Sequence, residues 1–538
     1  MTSSNRQLSV GSSVGWFTVA ALLLCLAISA QSLWVDEGLT AWLAAPGDFH
    51  GLRAALTTIA GSSSQPLEPL YHVYLWMYAQ VLGMKEWELR ASNIPFALLL
   101  LAALSWTSEL LSHRIRIWGL FAASPFLWFY MNEARPYIAM AACTAVSIAA
   151  LLTYLAGGIQ YRKAAPWACL SAFWLACSLS MLAIYAAAPL LLLTWLEMQR
   201  QKVEWRPFIN DWQWPLLVYI PLFGALGIYS LVILHHGGYG ILGRPGLANI
   251  AFAVYEFLGF SGLGPPRNDL RMLPILESVG AYWFWLSIGA LAWLSVGALF
   301  LDLTISKQIG GLLRNLLVVL LIGFAFGIAS SMALHHQFWG RHLTAVFPFF
   351  MLVIMQSLGA PFAHTRTKLK QRTALVLLAV AWGVSCFRLR FVTQYAKDDY
   401  RAATAEVLAT SRLRGSKIVW LADAFTARYY GLASDNTSDL ANALPATSFP
   451  ILGRASQPQN LTHEQAAAYV GRSTSTIVLA LSRPDLFDSN DAWRGLLVEC
   501  GAAPIASLNA FRVYFLDPTK ISPHSAARDC HSRAVNAE

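Results

Sequence analysis

The segment from Gly15 to Ser32, GWFTVAALLLCLAISAQS, runs directly into LWVDEG at 33–38, and the reading of this join decides the fold. The first part carries no charged residue and has the length needed to cross a bilayer core of roughly 30 Å. Asp36 and Glu37 mark its end, at the boundary where an ionised group escapes most of the cost of hydrocarbon. The chain then passes through Leu70 and beyond before the next clear span begins near residue 91. This loop is expected to be the floor of an active site on which the later loops converge.

Outward from that join, the rest of the chain has the same character. Of its 538 residues, 56% are hydrophobic and only 12% are charged, with a mean hydropathy of +0.49. Apolar runs lie near 14–32, 91–112, 117–131, 137–158, 166–182, 186–198, 213–234, 281–301, 315–334, 343–360 and 373–391, which makes about eleven spans. The expected fold is therefore a polytopic α-helical membrane protein. The net charge of +9 is spread over short loops and forms no continuous patch, so it does not point to nucleic acid. It reads as topology determinants and contacts with membrane lipids. The N-terminal run is longer than a signal-peptide core and lacks a small-residue cleavage site, so the first span is expected to be retained. Cys25, Cys143, Cys169, Cys177 and Cys386 fall in apolar runs as small buried side chains. Cys500 and Cys530 lie in the polar tail, where a disulfide depends on the compartment.

Charge distribution sets the topology. The run from Pro69 to Gly83, PLYHVYLWMYAQVLG, is short for a span and aromatic like an interfacial helix. If it lies in the membrane plane and the N-terminus is internal, the internal segments carry about fourteen Lys and Arg against about eight outside. If it crossed, every basic loop would face out. The in-plane reading places 33–89, 132–136, 235–280, 335–342 and the whole tail on the extracytoplasmic side. Asp36, Glu37, Glu68, Glu133 and Glu256 then share one face with Arg135, Arg244, Arg267, Arg271 and Arg341.

Two helical stretches, Gly38–Ala45 and Phe49–Ala60, are expected to lie along the membrane in the first external loop. The chain divides into a transmembrane domain, 1–392, and an extracytoplasmic domain, 393–538. The latter has soluble composition, strand-like runs at 417–421, 476–481 and 512–516, and helical stretches at 400–411 and 463–470. It reads as a small α/β domain. Sequons at Asn436 and Asn460 occur often by chance and decide nothing.

Four motifs could carry chemistry. Asp36–Glu37 is either a hydrated end of a span or a general base able to deprotonate a hydroxyl nucleophile; spacing does not choose. In Asn132-Glu-Ala-Arg-Pro-Tyr137, Pro136 opens a helix, where its missing N–H costs nothing. Glu133 and Arg135 are a boundary cluster, or Arg135 pairs with a phosphate that Glu133 helps orient. In Trp339-Gly-Arg-His342, Arg341 either snorkels or serves as a second phosphate ligand. Glu68-Pro69-Leu-Tyr71 puts a carboxylate before the in-plane helix, with or without a task. Adjacent histidines (235–236 and 335–336) lack the spacing of a helical zinc site, so no metal or other cofactor is expected.

Three features in order resemble the GT-C membrane glycosyltransferases: the acidic pair after the first span, the Pro-Leu-Tyr helix ending at Gly83 with Glu88-Leu-Arg90 beyond, and Glu-Ala-Arg-Pro-Tyr before the next span. The chain looks most like the protein O-mannosyltransferase and lipid A aminoarabinose transferase clan, including the bacterial lipopolysaccharide-core branch. The similarity covers 33–152, with a weaker echo at 340–348. It implies an inner (plasma) membrane enzyme moving a hexose or pentose from a polyprenyl-phosphate-linked sugar to a glycolipid, glycan or protein hydroxyl on the periplasmic side. It implies Asp36 and Glu37 as catalytic acids and Arg135 and Arg90 as donor-phosphate ligands. Arg341 joins them, and Glu133, Tyr137, Glu68, Tyr71 and His342 line the substrate. The chain departs from the pattern at Glu68, where many relatives place His-Pro-Pro or Lys-Pro; a carboxylate there repels a phosphate. A transporter of a lipid-linked or anionic substrate would want ionisable residues at mid-membrane and matched halves, and neither is visible. Eleven spans exceed what anchoring the tail requires.

Overall fold

The structure, a computed structural model, describes residues 4–59, 63–110, 118–156, 162–235, 245–272, 275–307, 309–359, 365–432, 462–483, 487–488 and 490–518. The basic loop 113–116, Arg244, both sequons and Cys530 lie outside the described residues. The chain forms two compact units. One comprises Met1–Ala30, Pro66–His235 and Gly240–Tyr395; the other comprises Gln31–Gln65, His236–Tyr239 and Ala396–Glu538.

The first unit is helical. Seven of its described helices are long and apolar enough to cross a membrane: Glu86–Ser108, Tyr137–Leu155, Met181–Gln201, Trp205–His235, Trp283–Ile305, Gly311–Ala333 and Thr365–Phe391. Shorter apolar helices occupy Gly15–Ala27, Ala164–Leu179, Leu247–Phe257 and Phe347–Gly359. Tyr137–Leu155 is buried along almost its whole length, whereas Trp205–His235 buries little of its surface. Such an exposed apolar helix suits a lipid environment rather than water.

The run 117–131 is not one helix, contrary to the sequence expectation. It forms Trp118–Ala122 and Pro125–Met131, separated at Ser124, whose backbone is extended (φ −69°, ψ 119°). Pro125 causes the break, because its ring disfavours a helical conformation in the residue before it. The aromatic helix Pro69–Leu82 has 14 residues, about 21 Å at the α-helical rise. That is short of the hydrocarbon core, as the in-plane reading requires.

A buried polar anchor sits near one end of this unit. Glu197 receives hydrogen bonds from Asn315 Nδ2 at 2.8 Å and Arg200 Nε at 2.7 Å, joining Ala187–Gln201 to Gly311–Ala333. Its partners satisfy a charge that burial alone would make costly.

The second unit contains a four-stranded sheet with order β1-β2-β4-β3. Its strands are β1 (Lys417–Leu421), β2 (Ile477–Ser482), β3 (Pro504–Leu508) and β4 (Phe511–Leu516). β1 and β2 are parallel, while β2–β4 and β4–β3 are antiparallel. The alternation of strand side chains builds two cores. Val419, Leu421, Ile477, Leu479 and Leu481 pack with Trp493 and Leu496 on one face. Ile418, Trp420, Val478, Ala480 and Phe511 pack with Tyr400 and Val407 on the other. The edge strand β3 was not legible in sequence, because PIASL is small, partly polar and largely exposed.

The same unit includes the first-loop helices Val35–Ala44 and Phe49–Ile59. Their apolar faces meet Phe425 in a small core of Leu39, Leu43, Ala55 and Ile59. The acidic segment 31–65 therefore groups with the chain after Ala396 rather than with the spans that flank it.

Candidate active site

In the helical unit the polar residues converge around the corner 132–136. Ser29, just past the first helix, donates from both its backbone N and its Oγ to Asn132 Oδ1, each at 2.9 Å. Arg90 is fully buried and donates from Nη1 to the Ser29 carbonyl at 2.9 Å. Asn93 Nδ2 donates to the Glu133 carbonyl at 2.6 Å and to the Met131 carbonyl at 3.2 Å. Within the turn itself, the Arg135 backbone N–H donates to the Glu133 carbonyl at 2.8 Å. These bonds fix the backbone from which Arg135 projects.

Arg135 Nη2 donates to Glu68 Oε1 at 3.0 Å. Arg135 and Glu68 are 3% and 4% exposed, so this ion pair is removed from water. Glu68 Oε2 lies 3.8 Å from His72 Nε2, one helical turn further on. The Arg135 guanidinium sits 5.6 Å from the Tyr137 ring centroid. Tyr71, wholly buried, lies in the same neighbourhood; burial pushes its phenol well above the usual range. The Glu68 charge that would repel a phosphate is thus spent on an arginine.

A second ion pair lies beside the first, its carboxylate Glu256 buried and its arginine, Arg267, partly exposed. Arg267 Nε donates to Glu256 Oε1 at 3.0 Å, and its guanidinium stands 4.2 Å from the Phe129 ring. Burial works against the Arg267 charge, but Glu256, Tyr130 and Glu133 together more than offset it, and the group is held above its ordinary pKa. Tyr130 links the pairs: its ring contacts Tyr137 at 5.0 Å, and Glu256 and Glu133 both bear on its hydroxyl. Gly340 closes the arrangement. A Cβ there would lie 2.5 Å from Glu256 Oε2 and 3.1 Å from the Tyr130 hydroxyl, so the turn Gly340–Leu343 approaches only because residue 340 has no side chain.

That turn carries Arg341 and His342. His342 Nδ1 accepts from the Trp339 backbone N–H at 3.0 Å, and its ring lies 5.0 Å from His336. Burial, with Arg341 and His336 nearby, pushes His342 well below the usual imidazole range, so it is neutral at pH 7.

In the other unit, Asp36 and Glu37 occupy the first turn of Val35–Ala44, where their charge complements the helix dipole. Glu37 is fully buried and accepts from the Trp34 backbone N–H at 3.4 Å and from Lys397 Nζ at 2.9 Å. Asp36 is only partly buried and lies close enough to Asp423 to raise its proton affinity. Asp423 is buried and caps Ala424–Tyr429 by accepting from the Thr426 backbone N–H at 2.7 Å. Burial, more than the Asp36 charge, pushes its carboxyl up to about 6.

The structure thus brings Glu68, Tyr71, Glu133, Arg135 and Tyr137 together, with Arg341 and His342 on the turn that reaches them through Gly340. Arg90 is placed on the Ser29 carbonyl. Asp36 and Glu37 belong to the second unit. Sequence reasoning missed Asn93, Tyr130, Lys397 and Asp423. Asn93 had a signal, as a polar residue at the head of an apolar run. Asp423 had one only as a helix N-cap three residues before Thr426, not as a neighbour of Asp36. Lys397 had none, since its partner Glu37 is hundreds of residues away. Among the described residues, no group of three or more His, Cys, Asp or Glu side chains is placed to hold a metal.

No protein-family model matches the chain, and no curated protein matches it. Its fold is similar to crystal structures of ArnT from Cupriavidus metallidurans, one bound to undecaprenyl phosphate and one in the apo state. Both align over 96% of this chain and 100% of that chain, at 12% identity and a TM-score of 0.49.

Proposed function

We propose that the chain is a membrane glycosyltransferase of the inner membrane, moving a sugar from a polyprenyl-phosphate-linked donor to a hydroxyl acceptor on the extracytoplasmic face. The observation that carries this reading is the buried Glu68–Arg135 pair. It unites, across 67 residues of sequence, two of the motifs on which the glycosyltransferase resemblance rests.

In the proposed step Asp36 takes the proton of the acceptor hydroxyl, whose oxygen attacks the anomeric carbon. The bond from that carbon to the phosphate oxygen breaks, and polyprenyl phosphate leaves with the electron pair. One displacement inverts the anomeric centre. Charge gathers on the leaving phosphate, where preorganised guanidinium groups are most effective. Arg135 and Arg341 take that role. Glu68 holds the Arg135 fork in one orientation, which lowers the reorganisation needed at the moment of reaction. It also cancels part of the charge, which is why Arg341 is needed as a second ligand. Tyr71, Tyr137, Glu133 and His342 line the donor side, His342 as a neutral hydrogen-bonding group.

Mass spectrometry of envelope glycolipids and glycoproteins from cells with and without the chain tests this reading. A sugar-bearing product lost with the chain, and lost equally in a strain unable to make polyprenyl-phosphate sugars, is expected. Identical profiles would contradict it.

A further inference from the structure

The acidic helix Val35–Ala44 is held by residues that follow it by several hundred positions. Glu37 receives Lys397 Nζ at 2.9 Å, and the Leu33 backbone N–H donates to the Tyr430 hydroxyl at 2.7 Å. The Arg401 backbone N–H donates to Ser32 Oγ at 3.2 Å. Trp42 packs on Phe425 with ring centroids 4.9 Å apart. Gly38 lies directly against Thr426, so close that a Cβ would fall 2.7 Å from the Thr426 Cα. These contacts bracket Asp36 on both sides while leaving it only partly buried.

Glu37 is therefore fully occupied: it closes the first turn of its own helix and neutralises Lys397. It is enclosed, whereas Asp36 keeps access to solvent. The two acids that sequence left as a pair are divided by their surroundings into one that is partly exposed and one that holds.

We propose that the C-terminal domain positions the proton-accepting residue, with Lys397 acting through Glu37 and the helix Ala424–Tyr429 acting through Gly38 to fix the orientation of Asp36. This inference rests on the reading of Asp36 as base. It assigns the domain a part in catalysis itself, as a clamp on the acidic helix. Lys397 and Thr426 are positioning residues, which need not touch the substrate.

The test uses the full chain in detergent for hydrogen exchange and in cells for product, with chain abundance measured in parallel. Lys397→Met is expected to speed amide exchange across 35–44 at least tenfold and to lower the envelope product at least tenfold. Lys397→Arg, which keeps the charge, is expected to restore both. Gly38→Ala attacks the other contact and is expected to give the same two losses, while β1 and β2 keep their protection. Unchanged exchange in both Lys397→Met and Gly38→Ala overturns the proposal, as does faster exchange with undiminished product. Asp36→Asn run alongside separates the two claims. Full product from that variant contradicts the base assignment, whereas exchange across 35–44 still decides whether Lys397 holds the helix.

Discussion

Arg135 donates to Glu68 at 3.0 Å, and both side chains are buried. Removing one partner of such a pair strands a charge away from water, at a cost of about 3–5 kcal/mol. Glu68→Gln and Arg135→Met are each expected to lower stability by an amount in that range, measured by thermal unfolding in detergent. The double variant Glu68→Leu/Arg135→Met is expected to recover most of the loss and still make no product. Strictly additive losses would show that the two groups do not interact.

Arg90 is held by the Ser29 carbonyl, and that placement makes a separate prediction. Arg90→Met leaves a buried carbonyl short of a donor, a loss of about 1–3 kcal/mol. Unfolding should register it whether or not donor is present. A variant as stable as the parent but unable to bind a polyprenyl phosphate would instead assign Arg90 to the donor.

Gly340 permits a close approach to Glu256 and the Tyr130 hydroxyl. Gly340→Ala forces those groups to shift, with an expected penalty of about 1–3 kcal/mol. Because the same turn carries Arg341, product formation should fall more steeply than stability. Gly297, inside the helix Trp283–Ile305, whose added Cβ would meet nothing within 4 Å, supplies the control: Gly297→Ala should leave product unchanged and not lower stability.

Asp423 gives a pH signature. Its carboxyl is pushed up to about 6 in the folded chain, whereas an unfolded aspartate titrates at about 3.9. Between those values the folded state binds more protons than the unfolded state, so stability falls as pH rises through that window and levels off above it. Two pH units correspond to about 3 kcal/mol at most. Asp423→Asn should flatten the profile, followed by denaturant unfolding read on the C-terminal sheet. Asp36→Asn should move the Asp423 transition to lower pH, because it removes a neighbouring negative charge.

Much of this architecture was visible in the chain itself, for physical reasons that differ by element. Long uncharged runs such as Tyr137–Leu155 have few alternatives to a buried or lipid-facing helix, and short apolar runs rich in β-branched and aromatic residues, such as KIVWL, suit a strand buried on both faces. The run 117–131 misled because hydropathy counts apolar residues without regard to the conformational limit that Pro125 imposes on Ser124. At the site, the grouping of Glu133 with Arg135 was local and therefore legible. The role of Glu68 was not. A carboxylate in that position looked like a loss of phosphate affinity, and only its pairing with Arg135 gives it a task. The bond from Lys397 to Glu37 and the closeness of Asp423 to Asp36 are made across most of the chain, which periodicity and spacing do not encode.

The measurement closest to the central claim is envelope mass spectrometry of cells whose sole copy of the chain is Asp36→Asn. Asn keeps the size of the side chain and removes the base. The variant is expected to accumulate in the membrane at the parent level, with unchanged exchange across 35–44, and to leave the sugar-bearing product at the level of cells lacking the chain. Product at the parent level would contradict the assignment of Asp36 as the base.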